Sequence, residues 1–479
     1  MDRPSLAIIG SGISGMSAGY FLHRHFNTTM FESAGRLGGH THTRYLDVQL
    51  PPNEQDLGTT AETDTAGRLP VDTGFIVFND RTYPNLIRLF DNLGIASQAT
   101  EMSFSVRCEQ TGIEYSGSTL DSYFAQRRNL FRPSFYRFFF DFRRFARQAV
   151  DYLESSDETQ TVGEFFRQHR YSDAFYRRYF LPMGSAIWSC PQGIFESFPI
   201  RFICQFYHHH GLLTIRNRPQ WRVVCGGSAQ YIPLLTAGYA SQIITSAEVE
   251  TVRRNQDSSG AGNPRWSVSG HLIQANGQKT PFNESFDHVV MACHADQALR
   301  ILKPGTGSEL AAVLQAFPYQ PNSATLHTDI SLLPRSRRAW AAWNYHLPVA
   351  NHKTSANLAG EQATVTYNMN RLQRYSEKQT NGQTFCVTLN DDSRIDPAKI
   401  IAKIPYAHPI FSVGRLAVQQ SHDRWIDSDG LSLCGAYWGN GFHEDGLNSA
   451  LMVSRKLLGM DPWKAVCIAD GSNTAASCR

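Results

Sequence analysis

The sequence predicts an α/β fold: a parallel-sheet unit assembled from separated stretches of chain, with an α+β domain inserted into it. Three observations predict this. The first forty residues read as strand, glycine turn, helix, strand. Later apolar runs at Ile243–Val252, His288–Cys293 and around Leu433 have the length of further buried strands. Residues 121–222 differ from their surroundings in charge and composition. At 479 residues the chain has room for two or three domains, and its 42% hydrophobic content can fill their cores, which excludes wholesale disorder.

Ser5–Ile9 is apolar throughout, as a buried parallel strand is. Gly10-Ser11-Gly12-Ile13-Ser14-Gly15 follows, then a helical pattern to about His25, then a second apolar run, Thr28–Phe31, ending in Glu32. That order is the context a dinucleotide fingerprint requires, so the unit reads as Rossmann-like. Gly10 permits the tight turn, Gly12 lets backbone approach a pyrophosphate, and Gly15 lets the helix lie against the strand. The helix N-terminus offers unpaired N–H groups to phosphate. Glu32 stands where an acid accepts from ribose hydroxyls, which disfavours a 2′-phosphorylated cofactor. The run Glu32-Ser33-Ala34-Gly35-Arg36-Leu37-Gly38-Gly39-His40-Thr41 adds a second glycine turn with a cation inside it. A nicotinamide cofactor has no need of this turn, because the first already holds its pyrophosphate. An extended ligand such as FAD does.

This run resembles the segment after the second strand in the flavin-containing amine oxidase superfamily, which includes protoporphyrinogen oxidases and phytoene-type desaturases. The family pattern there is G-R-x-G-G-R, and His40 replaces its last Arg. The stretch from Ile243 to Cys293 resembles the family's middle FAD segment, which implies a backbone contact near Val249 with adenine. Leu433–Leu447 resembles the closing FAD motif, which implies cofactor contacts from Gly435, Asp445, Gly446 and Leu447, and Leu447–Leu458 has a helical pattern. Val71–Asn79 and Gly441–Gly446 are most similar to a bacterial subgroup of predicted NAD/FAD-binding proteins, often linked to fatty acyl modification.

The resemblance implies an amine oxidase-like two-domain fold. Residues 1–110, 225–300 and 405–479 would form a discontinuous FAD-binding domain; 111–224, helical, and 305–404, strand-rich, would form the substrate domain. It implies noncovalent FAD, since the region where some relatives carry a tethering cysteine reads Tyr406-Ala407-His408-Pro409. His443 falls where amine oxidases carry an aromatic cage residue, and Tyr406 and His408 where they carry the other. An imidazole there can act as a base or orient substrate near neutral pH; the rival reading for each is packing. Amine oxidases also carry a lysine that assists oxygen, but Phe317–Ala324 holds none. The function expected is hydrogen removal, as hydride to flavin, from an apolar fatty acyl or isoprenoid substrate. Its rivals are amine oxidation and a non-catalytic flavoprotein working as a membrane-surface or assembly module. Oxygen, a quinone or a protein partner all stay open as electron acceptor.

The net charge of +3 hides a split. Residues 121–222 hold fifteen arginines, no lysine and nine acidic residues, together with 25 of the 56 aromatic residues. The helical stretch Tyr123–Tyr152 interleaves Phe and Arg, a composition suited to three uses: peripheral membrane contact through 121–152, an acyl tunnel with a headgroup grip, or plain packing with solvated arginines. Nucleic acid is not expected of a chain this mildly basic. No targeting or spanning segment is visible in the sequence, so the expected location is cytoplasmic, with the inner membrane surface as the alternative. Nine scattered cysteines without a C-x-x-C pair argue against a disulfide framework or zinc ribbon. His208-His209-His210 is not expected to bind metal, because consecutive side chains diverge. Two polar loops are expected at Asn53–Gly67 and Ser258–Asn263, and a frayed tail after about Ile468.

Overall fold

Five short apolar strands pair in parallel in the order Ile243–Ile244, Asn27–Phe31, Ser5–Ile9, His288–Met291, Leu431–Leu433. The computed structural model describes residues 3–469 apart from 57, 59–66, 155–158, 189, 191, 215–217, 256–263, 306, 349–363 and 413. The central strands are apolar on both faces because both faces are covered: Leu6, Ala7, Ile8, Val289, Val290 and Met291 are fully buried. Helix Ile13–Leu22 has nine of its ten residues buried, since it lies between this sheet and helix His443–Leu458. Gly446 makes that contact close: a Cβ there would fall 2.7 Å from Ile13 Cγ2 and 2.8 Å from Ser14 Oγ. Helix His443–Leu458 begins one turn before the Leu447 expected, because the Asp445 carboxylate accepts from Phe442 N at 2.9 Å and caps it, and one more helix, Pro462–Ala469, follows. An antiparallel trio, Ala247–Arg254, Trp266–Ile273 and Lys279–Phe286, joins the parallel strands, with a register shift between Val249 and Thr251.

A second sheet has seven strands in the order Ile400–Pro409, Tyr319–His327, Cys386–Leu389, Val365–Asn368, Trp343–Leu347, Phe104–Cys108, Ile113–Ser116. Its pairs are antiparallel except Trp343–Leu347, which runs parallel to Phe104–Cys108. Helices pack beside it in an aromatic cluster around Phe145, Phe165, Phe175, Phe180 and Phe195. The helical pattern of Tyr123–Tyr152 resolves into short turns up to Phe131 and one long helix, Pro133–Leu153. Pro133 dictates the break: it has no N–H to continue a helix but suits a first position. Val162–Phe180 likewise breaks after His169, at left-handed Arg170 (φ 48°).

The Asn53–Gly67 loop lies largely outside the described residues; the Ser258–Asn263 turn and the tail beyond 469 lie wholly outside them. Among the described residues no helix is long and apolar enough to cross a membrane, and none of the His, Cys, Asp and Glu side chains gather in a group suited to a metal ion.

Candidate active site

The carboxyl ends of the parallel strands open into a cavity of about 1420 Å³, which continues under the second sheet. Gly10, Ser11, Gly12, Ile13 and Ser14 form one wall. Gly15 stands behind them as a spacer: a Cβ there would sit 1.9 Å from the Gly10 carbonyl oxygen. A Cβ on Gly12 would meet nothing within 4 Å, so this backbone faces open space. No side chain caps helix Ile13–Leu22, which leaves its first N–H groups for a ligand. Glu32 and Ser33 lie next along the cavity. The Glu32 carboxylate is already engaged, accepting from Ser11 N (2.9 Å), Ser11 Oγ (2.6 Å) and Ala34 N (2.8 Å). It therefore braces the glycine turn from the cavity side. Val249 lines the same end, beside the register shift.

The second glycine turn is organised around Arg36. Its guanidinium donates to the carbonyls of Leu37 and Thr41 (3.3 Å each) and Gly39 (2.9 Å), so it holds the turn's shape. Gly38 and Gly39 need left-handed backbone (φ 107° and 57°), and a Cβ on Gly39 would approach Gly12 Cα to 3.2 Å, tying the two glycine turns together.

Beyond this turn five imidazoles gather. His40 stacks on Tyr406 at 4.9 Å between ring centroids and lies 5.5 Å from His294 and 5.4 Å from His408. His42 Nδ1 is 3.2 Å from the Tyr406 hydroxyl. His443 stacks on Phe75 at 3.7 Å, and its Nε2 is hydrogen-bonded to Thr41 Oγ1 at 2.9 Å. Burial pushes His40, His42, His408 and His443 down to about 3 and His294 to about 4, with neighbouring cations and imidazoles adding to the effect. They are neutral at neutral pH. His443 is thus an uncharged, tethered group, and Tyr406, raised to about 12 by burial, keeps its proton.

His408 has a defined tautomer. Asn322 Oδ1 accepts from Asn390 Nδ2 at 2.6 Å, which turns the Asn322 amide nitrogen towards His408 Nδ1 at 2.9 Å. Nδ1 therefore accepts, and the imidazole proton resides on Nε2.

Gly435 lines the cavity, but Thr41, Asp445, Gly446 and Leu447 do not: they stand behind it. Asp445 caps its own helix, Gly446 seats that helix on the first, and Leu447 is fully buried in the core between them. The direct contacts that the resemblance implied for these three become support of the wall. Asp72 escaped sequence reading as a site residue. Fully buried, it accepts from Thr43 Oγ1 (2.6 Å), Ser228 N and Oγ (2.8 Å each) and Gln373 Nε2 (3.0 Å). The next residues, Thr73 and Phe75, bond to the backbone of His42 and His40 and place the cavity floor. His42 and His294 were also missed; their single signal was a histidine beside a strand end.

The imidazoles carry a pH prediction. Their folded pKa values lie below the unfolded 6.5, so the folded chain binds fewer protons, and its stability is held above pH 6.5 and lost as pH falls towards 3–4. At roughly 1 kcal/mol per group per pH unit, going from pH 7 to pH 5 should lower Tm by ~10 °C. An unchanged Tm by differential scanning calorimetry would show that the imidazoles are solvated.

The fold recurs in solved structures. Cyclohexylamine oxidase from Brevibacterium oxydans IH-35A matches with a TM-score of 0.61 at 14% identity, covering 95% of this chain and 100% of that one. Wild-type putrescine oxidase bound to putrescine matches with a TM-score of 0.58 at 13% identity, covering 95% and 99%. A triple mutant of putrescine oxidase, redesigned in cofactor binding, matches with 0.59 at 13%, again covering 95% and 99%. No curated protein matches the sequence. The family model for flavin containing amine oxidoreductases matches residues 13–384. With that match over most of its length, and with a cavity running along its glycine turns, the chain belongs to the flavin-containing amine oxidoreductase family and is an FAD-dependent oxidoreductase.

Proposed function

We propose that the chain oxidises an amine carried on a bulky apolar skeleton, removing hydrogen from the carbon beside the nitrogen. The observation that carries this reading is the junction, in one cavity, of an aromatic arm with a cluster of uncharged imidazoles. Phe104, Tyr115, Phe138, Tyr179, Trp343 and Tyr367 wall the arm, which suits an apolar skeleton. At its inner end the neutral imidazoles and Tyr406 offer hydrogen bonds without positive charge, so a free amine meets partners and no repulsion. His408, protonated on Nε2, is the group we assign to orient the substrate nitrogen as a donor. His443, tied to Thr41, fixes the position of Phe75 and the floor. Family membership favours an amine over the wholly apolar substrate first expected.

The cavity fits FAD. Gly12–Ser14 would hold its pyrophosphate, Glu32 its ribose, the backbone near Val249 its adenine, and Gly39, His40 and Gly435 the flavin end. The Nε2 of half-buried His40 is itself buried, has no hydrogen-bond partner among the described residues and would be open to one from the cofactor. Bound there without a covalent link, FAD supplies the hydride acceptor. The second reading, dehydrogenation of a fatty acyl or isoprenoid chain, is favoured by the same aromatic arm and by the absence of lysine from Phe317–Ala324. The electron acceptor would be oxygen, a quinone or a protein partner.

Anaerobic mixing of the holoenzyme with aryl and cycloalkyl amines should bleach the flavin, while acyl lipids and isoprenoids leave it oxidised. Bleaching by lipids alone would select the second reading, and bleaching by neither class would overturn both.

A further inference from the structure

We infer that the face built from Leu120, Leu130, Phe131 and the outer side of helix Pro133–Leu153 docks on an anionic lipid bilayer. The inference is independent of which substrate is oxidised. Scattered exposed apolar residues need no explanation, but a contiguous group does. Phe131 is 87% exposed, Phe140 74% and Leu120 72%, while most other phenylalanines of this region are buried. Leu130, Phe131, Pro133, Tyr136, Arg137 and Phe140 together line one shallow apolar depression on the surface.

The charge around the patch is predominantly positive. The guanidinium groups of Arg132, Arg137, Arg143 and Arg147 form no hydrogen bond or salt bridge with the described residues. Tyr136, Phe140, Arg143 and Arg147 follow one another at helical spacing, so aromatic and cationic groups share one face. The acids nearby are mostly occupied or distant. Asp121 pairs with Arg127, and Asp141 is buried and held by Ser172 N and Arg144. Asp151 and Glu154, exposed one and two turns beyond Arg147, border the basic stripe at the end of the helix away from Phe131 and Phe140. Exposed aromatics that enter the interface, ringed by arginines that meet lipid phosphates, are the two components of interfacial binding. A protein partner would need groups to pair with four guanidinium charges that have no partner among the described residues; an anionic bilayer supplies phosphate wherever they fall.

The patch also lies over the aromatic arm. Phe138, on the inner side of the same helix, lines the cavity, as do exposed Gly117 and Ser118 just before Leu120. Docking would therefore set one end of the cavity against the bilayer, where apolar compounds partition.

Flotation of the holoenzyme tests this, with vesicles of phosphatidylglycerol and phosphatidylcholine in equal parts and of phosphatidylcholine alone. The protein should float with the anionic vesicles and stay behind with the neutral ones. F131S/F140S should lower the partition coefficient at least about tenfold. R137Q/R143Q/R147Q should lower it about fivefold per charge removed, with a matching loss in high salt. Retained flavin absorbance and Tm report that each variant folds. Three outcomes would overturn the inference: no flotation of the parent protein, unaltered flotation of F131S/F140S, or a patch variant that changes only self-association in analytical ultracentrifugation.

Discussion

Replacing Gly15 by alanine should give a folded protein that purifies largely without flavin. The new Cβ would lie 1.9 Å from the Gly10 carbonyl oxygen and 3.2 Å from Ala292 Cβ, and neither is the end of a flexible side chain. Relief requires the first helix to lift from the strand, carrying the N–H groups of Gly12–Ser14 away from where a pyrophosphate would lie. Gly446 pins the same helix from its other side, so the displacement has little room. Overpacking of this kind costs about 1–3 kcal/mol. Because the strain falls on the cofactor wall, FAD affinity should drop by about ten- to a hundredfold. Titration of apoprotein with FAD, followed by fluorescence quenching, reads this directly. Stoichiometric flavin at undiminished affinity would mean that the glycine turn does not seat the cofactor.

Asp72→Ala should be the most damaging single change outside the glycine turns. It would orphan Thr43 Oγ1, Ser228 N and Oγ, and Gln373 Nε2 in a fully buried setting, at a cost of about 3–5 kcal/mol. Asp72→Asn keeps the shape and most of the bonds but sets one amide against another, at about 1–2 kcal/mol. The two variants also separate packing from charge. Burial raises the Asp72 carboxyl to about 6, with the hydrogen bonds opposing it. A raised folded pKa means that its stabilising contribution is complete below the ordinary carboxylate value of 3.8 and is lost as pH rises through 6. This runs opposite to the imidazoles. In D72N that component disappears, so the fall in stability from neutral to acid pH should steepen. Denaturant titrations at pH 4, 5, 6 and 7 compare the slopes; identical profiles for parent and D72N would show that Asp72 does not titrate there.

What the sequence made legible was what lies close together along it. The Ser5–Glu32 unit is a contiguous alternation of strand, turn, helix and strand, so hydrophobic period and glycine spacing sufficed to read it. The imidazole cluster was legible only in part. His40 drew notice as a departure from a motif, His408 and His443 through a resemblance. His42 and His294 had neither, because what joins them is the convergence of four strand ends far apart in sequence. Asp72 was hidden for a different reason: nothing in Val-Asp-Thr distinguishes a buried carboxylate with four donors from a solvated one. Asp445 and Leu447 were read as cofactor contacts because a motif records which residues recur together, not which of them face the ligand.

The parallel sheet has one more consequence, for how the protein is made. Its last strand, Leu431–Leu433, pairs with His288–Met291, and the segment after it, up to the start of helix His443–Leu458, supplies Gly435 and His443 to the cavity. A ribosome adding roughly 5–20 residues per second needs about 20–90 s to reach that strand. Through that interval the nucleotide wall from Gly10 to Ser14 exists without its opposite side. Chains truncated before Leu431 should therefore bind FAD far more weakly than the full chain, which titration of the truncated protein with FAD would check.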